Sequence, residues 1–305
     1  MKRIRGFGWR GALALLATAA LGMATTTMPV PGTVNYLEGR ASMDGHVLSA
    51  KSAGSTQLAV NDVLSTTQGD AELLLTPGVF LRIGNGSAVR MLSPGLADTT
   101  VGLESGSAML EVDQLYKSNR LNVVVDNTTT TIEKTGLYGF SVNPPEVRVM
   151  DGKAEVSQGA QHVTLKKGHE VQLAGAFKAV KFDKDAMEND PLYRWSDLRS
   201  NYEAQANLNA SRTVVVNGGW YGPGWYWDPY WSCYAFLPGG GMFYSPFGWG
   251  FYSPGWWGGY YGFGGFRGGR GFHGGRGFHG GGFGRGGGFG GGGGFHDGGG
   301  GGHRG

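Results

Sequence analysis

Four histidines near the end of the chain are the side chains that most directly suggest chemistry: His273, His279, His296 and His303. Several imidazoles on a flexible chain can bind copper, nickel or zinc. A metal-binding function through these four residues is therefore one interpretation of the sequence. Their Gly-Phe-His-Gly-Gly context fixes no coordination geometry, so the sequence predicts no resident cofactor.

Tryptophan provides a second set of candidate side chains, suited to binding by contact. We take as interaction residues Trp220, Trp225, Trp227, Trp231, Trp249, Trp256 and Trp257. Aromatic rings separated by glycine favour stacking on sugars or on each other. The Arg-Gly-Gly repeats that follow are typical of RNA-binding segments, but arginine next to aromatic rings also supports self-association through cation–π contacts.

Catalytic constellations are absent from the sequence. It contains no nucleophile elbow, no P-loop and no His-x-x-x-His pair, and we expect a protein that is not an enzyme. The histidines His46, His162 and His169 are isolated in turn-like contexts. Cys233 is the only cysteine, which excludes an intramolecular disulfide. Among Tyr, Trp and Phe it reads as a small apolar filler, with a reactive thiol as the alternative.

Composition divides the chain into the elements that would position these residues. Glycine takes 39 of the 88 positions from 218 to 305, and such a sequence brings too few side chains to build an enzyme pocket. We predict five segments: a signal peptide (1–24), a β-domain (32–176), an amphipathic helical connector (185–212), an aromatic Gly/Pro-rich segment (218–263) and a glycine-rich tail expected to be disordered (264–305).

The beginning of the chain has the pattern of a secretory signal peptide. A basic start is followed by a short apolar run and small residues, and the run is too short to span a bilayer. We therefore expect an exported protein with no transmembrane span after cleavage, in the periplasm, on the outer-membrane surface or outside the cell. Removing residues 1–24 leaves 22 basic and 23 acidic residues, and export with near-neutral charge argues against a nucleic-acid partner.

Residues 32–176 read as β-structure, with turn signals about every ten residues and alternating runs between them. We predict a hairpin over 147–156 that turns at Asp151-Gly152, a second over 79–92 that turns at Gly84-Asn85-Gly86, and strands over 121–125 and 128–132. In the connector, Asp190-Pro191 predicts a helix start. Its apolar stripe is predicted to pack on the β-domain, with a partner-helix role as the alternative; the stripe comprises Leu192, Trp195, Leu198, Tyr202 and Ala206.

The order of several short motifs over 32–173 resembles the FecR-type periplasmic domain. These are Asn-Asp-Val-Leu-Ser-Thr-Thr at 61–67, Leu-Arg-Ile-Gly-Asn-Gly at 81–86, the run 101–112 around Gly106, the run 147–156, and Leu-Lys-Lys-Gly-His-Glu-Val at 165–171. The resemblance implies a twisted β-solenoid or sandwich-like fold. The family's Gly-Thr pair is not kept at Thr135-Gly136. We also expect this protein to lack the cytoplasmic anti-sigma segment and the membrane span of the family's signalling members.

The sequence thus predicts a mainly β fold, with a FecR-like twisted β-solenoid or sandwich-like domain, one connector helix and a disordered glycine-rich tail. The expected function is that of an exported, non-enzymatic cell-envelope protein with a binding, sensing or scaffold domain and an adhesive aromatic-glycine tail. Expected partners are an envelope protein, a polysaccharide or a second copy of the chain. The alternatives are a FecR-like component of envelope signalling, acting on a sigma factor or transporter system, and the metal-binding protein described above.

Overall fold

A computed structural model describes residues 28–261, and over this range the chain is mainly β, as predicted. The predicted signal peptide (1–24) and the whole predicted glycine-rich tail (264–305), with its four histidines, lie outside the described residues. The strands are β1 (Thr33–Leu37), β2 (Arg40–Met43), β3 (His46–Leu48), β4 (Val63–Gln68), β5 (Ala71–Leu74), β6 (Val79–Ile83), β7 (Ala88–Pro94), β8 (Asp98–Ser105), β9 (Ser107–Val112), β10 (Arg120–Val125), β11 (Thr128–Ile132), β12 (Gly136–Val142), β13 (Pro145–Asp151), β14 (Lys153–Gln158), β15 (Gln161–Lys166), β16 (His169–Gln172), β17 (Val180–Lys181), β18 (Gly224–Asp228), β19 (Cys233–Leu237), β20 (Met242–Tyr244) and β21 (Gly250–Tyr252). The helices are a 3₁₀ turn at Ala50–Ser52, α1 (Lys184–Glu188), α2 (Pro191–Asn217) and α3 (Pro254–Tyr261).

Two large sheets pack face to face. Sheet A has the strand order β1-β5-β6-β9-β12-β13-β16-β17, and sheet B has the order β15-β14-β11-β10-β8-β7-β4-β2-β3. The main apolar core lies between them and takes side chains from both, for example Leu81 and Val149 from sheet A and Val123 and Val156 from sheet B. Neighbouring strands are antiparallel except β8 and β10, which run parallel. The architecture is a sandwich in which the chain passes repeatedly from one sheet to the other.

The hairpin predicted over 147–156 is wrong in its pairing. Strands form on both sides of Gly152, but β13 pairs with β12 and β16 in sheet A, whereas β14 pairs with β11 and β15 in sheet B. Gly152 is the corner between the sheets. Its φ is +98°, and a Cβ there would collide with the Tyr138 hydroxyl. The turn residue was recognised correctly, but it directs the second strand across the core and not back along the first.

The predicted hairpin over 79–92 is wrong for the same reason. The strands β6 and β7 form on either side of the turn, but β6 belongs to sheet A and β7 to sheet B. By contrast, the strands predicted over 121–125 and 128–132 are confirmed as β10 and β11, which pair antiparallel. A run of alternating residues therefore located the strands, while their partners depended on which sheet each turn entered.

Sheet A is covered on both faces. Every residue of β5 and β6 is buried, which an antiparallel sheet with one face in water would not show. The inner face meets sheet B, and the outer face is covered by α1, α2 and the hairpins β18–β19 and β20–β21. On that outer face an aromatic cluster (Leu74, Phe80, Trp225, Tyr234, Phe236) and a methionine-rich cluster (Met109, Leu137, Met150, Met187, Leu192) are apolar.

The helix α2 begins as predicted but buries a different face. Asp190 Oδ1 accepts hydrogen bonds from the backbone N–H groups of Leu192 and Tyr193, at 2.8 and 3.1 Å. The prediction that one apolar stripe packs on the β-domain is wrong in its middle, because Leu198 is 49% exposed and Tyr202 is 37% exposed. Among the described residues, no helix combines the length and apolar character needed to cross a bilayer.

Candidate functional site

The buried face of α2 is polar. Six of its side chains lie at helical spacing and are buried against sheet A or the hairpins that follow: Ser196, Arg199, Ser200, Glu203, Asn207 and Ser211. Residues three and four apart share one face of a helix, so the spacing alone places them together. A long helix normally turns its apolar face inward, so the surface that it meets must itself be polar.

That surface is a charge network on the outer face of sheet A, which we define as Glu72, Arg82, Glu111, Arg199 and Glu203. Arg82 binds Glu72 through Nε at 2.8 Å and Glu111 through Nη1. Arg199 Nη2 reaches from α2 to Glu72 at 2.9 Å and to Glu203 at 2.6 Å. The five side chains come from β5, β6, β9 and α2 and are at most 5% exposed.

Neutral polar groups add hydrogen bonds to the network, while Arg82 Nη2, Arg199 Nε and Glu203 Oε2 have no hydrogen-bond partner in the described part of the chain. Asn35 Nδ2 donates to Glu72 Oε1 at 2.9 Å and to Glu203 Oε1 at 3.0 Å. Asn35 Oδ1 accepts from the backbone N–H of Tyr234 in β19, at 2.8 Å. Ser200 Oγ donates to Glu111 Oε1 at 2.6 Å. The first strand, the long helix and the aromatic segment are thus joined through one buried cluster.

The two carboxyl groups around Arg199 have opposite pKa shifts. Burial would raise the pKa of Glu72, but Arg199 and Arg82 outweigh it and lower the pKa to about 2. Burial raises the pKa of Glu203 well above its usual range, and the neighbouring Glu72 carboxylate raises it further. Two carboxyl groups in contact rarely ionise together. Glu203 therefore holds the proton and Glu72 the negative charge.

A fourth carboxyl group, that of Asp113, lies beside the network. Burial raises its pKa well above the ordinary value, with a further contribution from Glu111. Neither of its carboxyl oxygens has a hydrogen-bond partner in the described part of the chain. With Glu203 and Asp113 protonated, the two remaining carboxylates balance the two guanidinium groups, so the buried cluster carries no net charge.

The geometry of the network suits a structural role, which is to hold α2 against sheet A, and not ligand binding. Its charged groups are occupied mainly by each other, and removing one partner of a buried ion pair costs about 3–5 kcal/mol because the other charge is left uncompensated. Over residues 28–261, no three His, Cys, Asp or Glu side chains are grouped to hold a metal ion. The sequence analysis did not predict this network. The feature that could have indicated it is the single charged residue in each of the apolar runs 72–75 and 79–83.

Three of the predicted tryptophans are held by packing against sheet A or by hydrogen bonds to α2. Trp225 is 3% exposed and packs edge-on against Phe80 of sheet A, with ring centroids 5.2 Å apart. Trp249 Nε1 donates to Asp197 at 2.8 Å, and Trp257 Nε1 donates to Ser211 at 3.0 Å, both on α2. The aromatic segment is thus folded onto α2 and sheet A over its described residues.

The other predicted tryptophans reach solvent. Trp220, Trp227 and Trp256 are 40%, 39% and 48% exposed, and Trp231 is half-buried beside Tyr202, with ring centroids 5.5 Å apart. Together with the exposed Tyr230 they are the accessible rings of the aromatic segment, and we call this set the aromatic surface: Trp220, Trp227, Tyr230, Trp231 and Trp256. The seven predicted interaction residues are therefore not brought into one site, since three serve as anchors and four remain available for contact.

Cys233 lies in the apolar cluster between α2 and the β18–β19 hairpin, together with Ala206 and Leu237. It is 2% exposed, and burial raises the pKa of its thiol. This placement agrees with the interpretation of Cys233 as a small apolar filler. The isolated His162 and His169 contact Ser157 Oγ and the Lys167 carbonyl oxygen on the surface.

Comparisons with known proteins show only limited similarity. No protein-family model matches the chain, and no curated protein matches it. Two crystal structures, each of a "putative anti-sigma factor" from Parabacteroides distasonis ATCC 8503, are similar to it at TM-scores of 0.34 and 0.35. Their identities are 17% and 15%, and they cover 40% and 45% of this chain. The chain spans only 59% and 64% of their own lengths.

Proposed function

We infer that the chain is an exported, non-enzymatic binding protein of the cell envelope, in which a β-sandwich of FecR type carries the aromatic surface. The partner is a component of the envelope, and it is held by stacking against exposed rings. The buried charged side chains support this inference, because they bond mainly to one another and hold the aromatic segment in place.

The aromatic surface is the observation that carries the proposal. Exposed tryptophan and tyrosine rings are enriched at interaction sites, because each offers a large apolar face together with a polar group. Here they project from a segment that is fixed at both hairpins, by Trp225 on Phe80 and by Asn207, whose Nδ2 donates to the carbonyl oxygens of Phe236 and Tyr252 at 2.7 and 3.0 Å. A fixed surface loses little conformational entropy on binding.

The corner glycines support the FecR part of the proposal. Gly106, Gly152 and Gly168 all belong to motifs that resemble that family, and each has positive φ at a passage between the two sheets. The glycines of these motifs thus mark the positions where the chain passes from one sheet to the other, and two proteins with the same fold would share such positions. A binding role and a role in envelope signalling both fit such a scaffold, and the aromatic surface favours binding.

Cosedimentation of the purified full-length chain with isolated envelope fragments tests the proposed function. We expect wild type to sediment with the fragments and the triple variant Trp220→Ala/Trp227→Ala/Trp256→Ala to lose at least about tenfold in affinity. The matched control replaces three exposed aliphatic residues of the β-sandwich, Val47, Val60 and Leu96, by alanine.

Thermal unfolding of both triple variants must match that of wild type for the comparison to hold. Equal sedimentation by the two triple variants, or no sedimentation of wild type, would overturn the proposal. Copurification of a transporter or a sigma-factor regulator, unaffected by the tryptophan substitutions, would establish the signalling alternative instead.

A further inference from the structure

A shallow cavity of about 430 Å³ opens on the outer side of α2, next to the turn between β18 and β19. It is lined by Gln205, Leu208, Asn209, Arg212, Tyr230 and Trp231. Volumes of about 300–1,000 Å³ are usual for small-molecule sites. The cavity includes two members of the aromatic surface, so an inference about its ligand rests on the proposed function.

The turn that bears the two rings is held in place by Asp228. One carboxylate oxygen, Oδ1, accepts from the backbone N–H groups of Tyr230 and Trp231, at 2.8 and 3.2 Å. The other, Oδ2, accepts from Asn209 Nδ2 on α2, at 2.6 Å. Asp228 is 1% exposed. Its bonds connect the aromatic turn directly to the polar side of the cavity, which fixes their relative position.

Two aromatic rings, Tyr230 and Trp231, line this cavity. Their centroids are 5.3 Å apart and their planes are nearly perpendicular, at 80°. Trp231 also contacts Tyr202 of α2, with ring centroids 5.5 Å apart. Tyr230 is 81% exposed, so its ring is accessible to a ligand beside the polar residues of α2.

The rim of the cavity consists of hydrogen-bonding groups without acidic side chains. Gln205, Asn209 and Arg212 follow Tyr202 along one exposed stripe of α2, at spacings of three and four residues. Asn209 Nδ2 donates to Asp228 and Gln205 Nε2 donates to Asn201 Oδ1, so each amide keeps its oxygen and one N–H for a ligand. The Arg212 guanidinium lies over the Trp257 ring, 4.5 Å from its centroid, and keeps its N–H donors. Since no carboxylate lines the cavity, its chemistry suits hydroxyl and carbonyl oxygens better than a cation.

We propose that this cavity binds a β-1,4-linked glycan through stacking on Trp231 and Tyr230 and hydrogen bonds to Gln205, Asn209 and Arg212. A β-linked pyranose ring has a flat C–H face, which is apolar, and an edge of equatorial hydroxyl groups. Ring faces beside a row of amides match both features. In a β-1,4-linked glucan or chitin chain both linkage bonds are equatorial, so neither face of the ring carries an axial substituent. In an α-linked chain the axial linkage oxygen obstructs one face.

Calorimetric titration of the full-length protein with cellohexaose, chitohexaose and maltohexaose tests this assignment. We expect binding of at least one of the β-1,4-linked hexamers and weaker binding of maltohexaose. Tyr230→Ala and Gln205→Ala should each weaken binding about fivefold, which is the usual size of one aromatic contact or hydrogen bond. Both side chains are exposed, so neither substitution disturbs the core.

Tyr244→Ala is the matched control, because Tyr244 is 66% exposed on the separate β20–β21 hairpin. Binding that is unchanged by Tyr230→Ala, or absent for both β-1,4-linked hexamers, would overturn the glycan assignment. If the hexamers fail while wild type still sediments with envelope fragments through the three exposed tryptophans, the proposed function stands and only its ligand class is wrong.

Discussion

At the scale of single residues, one proton controls the balance of the charge network. Glu72 and Glu203 both contact Arg199 Nη2, yet only Glu72 is also bound by Arg82. The carboxyl group with two arginine partners ionises, and the one with a single arginine partner stays protonated. This difference gives two chemically identical side chains different roles in stability.

Glutamine substitutions separate those roles. Glu72→Gln removes an ionised partner from both arginines, and we expect it to lower the free energy of unfolding by about 3–5 kcal/mol. Glu203→Gln is the matched control. It replaces a protonated carboxyl group by a neutral isostere, so its effect should stay below about 1 kcal/mol. Urea unfolding at pH 7 measures both, and equal losses would contradict the assignment of the proton to Glu203.

The corner residue Asp70 predicts a pH dependence of stability. Burial, aided by the nearby Glu38 carboxylate, raises the pKa of Asp70 from 3.8 to about 6. A carboxyl group with a raised pKa stabilises the fold below its ordinary pKa, and this contribution is lost as the pH rises through 6. Relative to wild type, Asp70→Asn should therefore gain thermal stability between pH 4 and 6.5.

Asp126→Asn provides the comparison for that measurement. Asp126 is exposed and has a φ of +51°, a conformation that asparagine also tolerates. This variant gives the change in unfolding temperature that follows from removing an exposed carboxyl group over the same pH range. A pH-independent difference between Asp70→Asn and wild type would show that Asp70 does not have a raised pKa in the folded protein.

At the scale of elements, the local pattern determined the strands but not their partners. Alternation with period two depends on neighbouring residues, and it identified the strands around Gly84–Gly86 and Gly152. A glycine with positive φ serves equally in a hairpin and in a corner between sheets. The choice depends on how many strands already occupy each sheet, which is information spread over the whole β-domain.

The buried face of α2 was unpredictable for a related reason. Ser196, Ser200 and Asn207 look like solvent-facing residues until the surface they meet is known. Ser200 bonds to Glu111 of β9, and Asn207 bonds to the backbone of Phe236 and Tyr252. The Ser196 hydroxyl is buried without a hydrogen-bond partner in the described part of the chain. No local pattern in the sequence associates these positions. The tryptophans, in contrast, were identified by type and density, but the division into anchors and exposed rings required the fold.

Two glycines at corners between the sheets allow the effect of a corner substitution on the free energy of unfolding to be measured. Gly152 and Gly168 have φ values of +98° and +81°, and both lie between a strand of one sheet and a strand of the other. A Cβ at Gly152 would collide with Tyr138, whereas a Cβ at Gly168 would meet nothing within 4 Å. Both alanine variants carry backbone strain of about 1–3 kcal/mol.

Gly152→Ala should therefore lose at least about 2 kcal/mol more than Gly168→Ala, because its collision adds to the same strain. Denaturant unfolding of the two variants gives the difference directly. If the two losses agree within error, the corner at Gly152 is able to shift away from Tyr138, and the tight packing described there does not constrain the sequence.

At the scale of the whole molecule, the aromatic segment is part of the folded unit and not an appendage to it. We expect removal of residues 218–305 to destabilise the β-domain, because Trp225 and Phe236 cover Leu74 and Phe80, and the β19 strand packs on α2.

A chain ending at residue 217 should consequently unfold at a lower temperature, expose apolar surface to a fluorescent dye and aggregate. The control is a chain ending at residue 264, which keeps every residue that the structure describes. That chain should retain the wild-type unfolding temperature. Equal stability of both truncated chains would show that the β-sandwich needs no cover on its outer face.

The hydrogen bond between Asn35 and Tyr234 has a consequence for biosynthesis. Its partners are 199 residues apart, so a growing chain delivers the first strand long before the segment that satisfies it. Until the ribosome has added β19, the outer face of sheet A lacks its cover and Asn35 lacks its backbone donor. Contacts of such long range form slowly. The unfinished chain therefore presents an uncovered sheet face between the synthesis of the last strands of sheet A and that of β19, and a chaperone would bind during this interval.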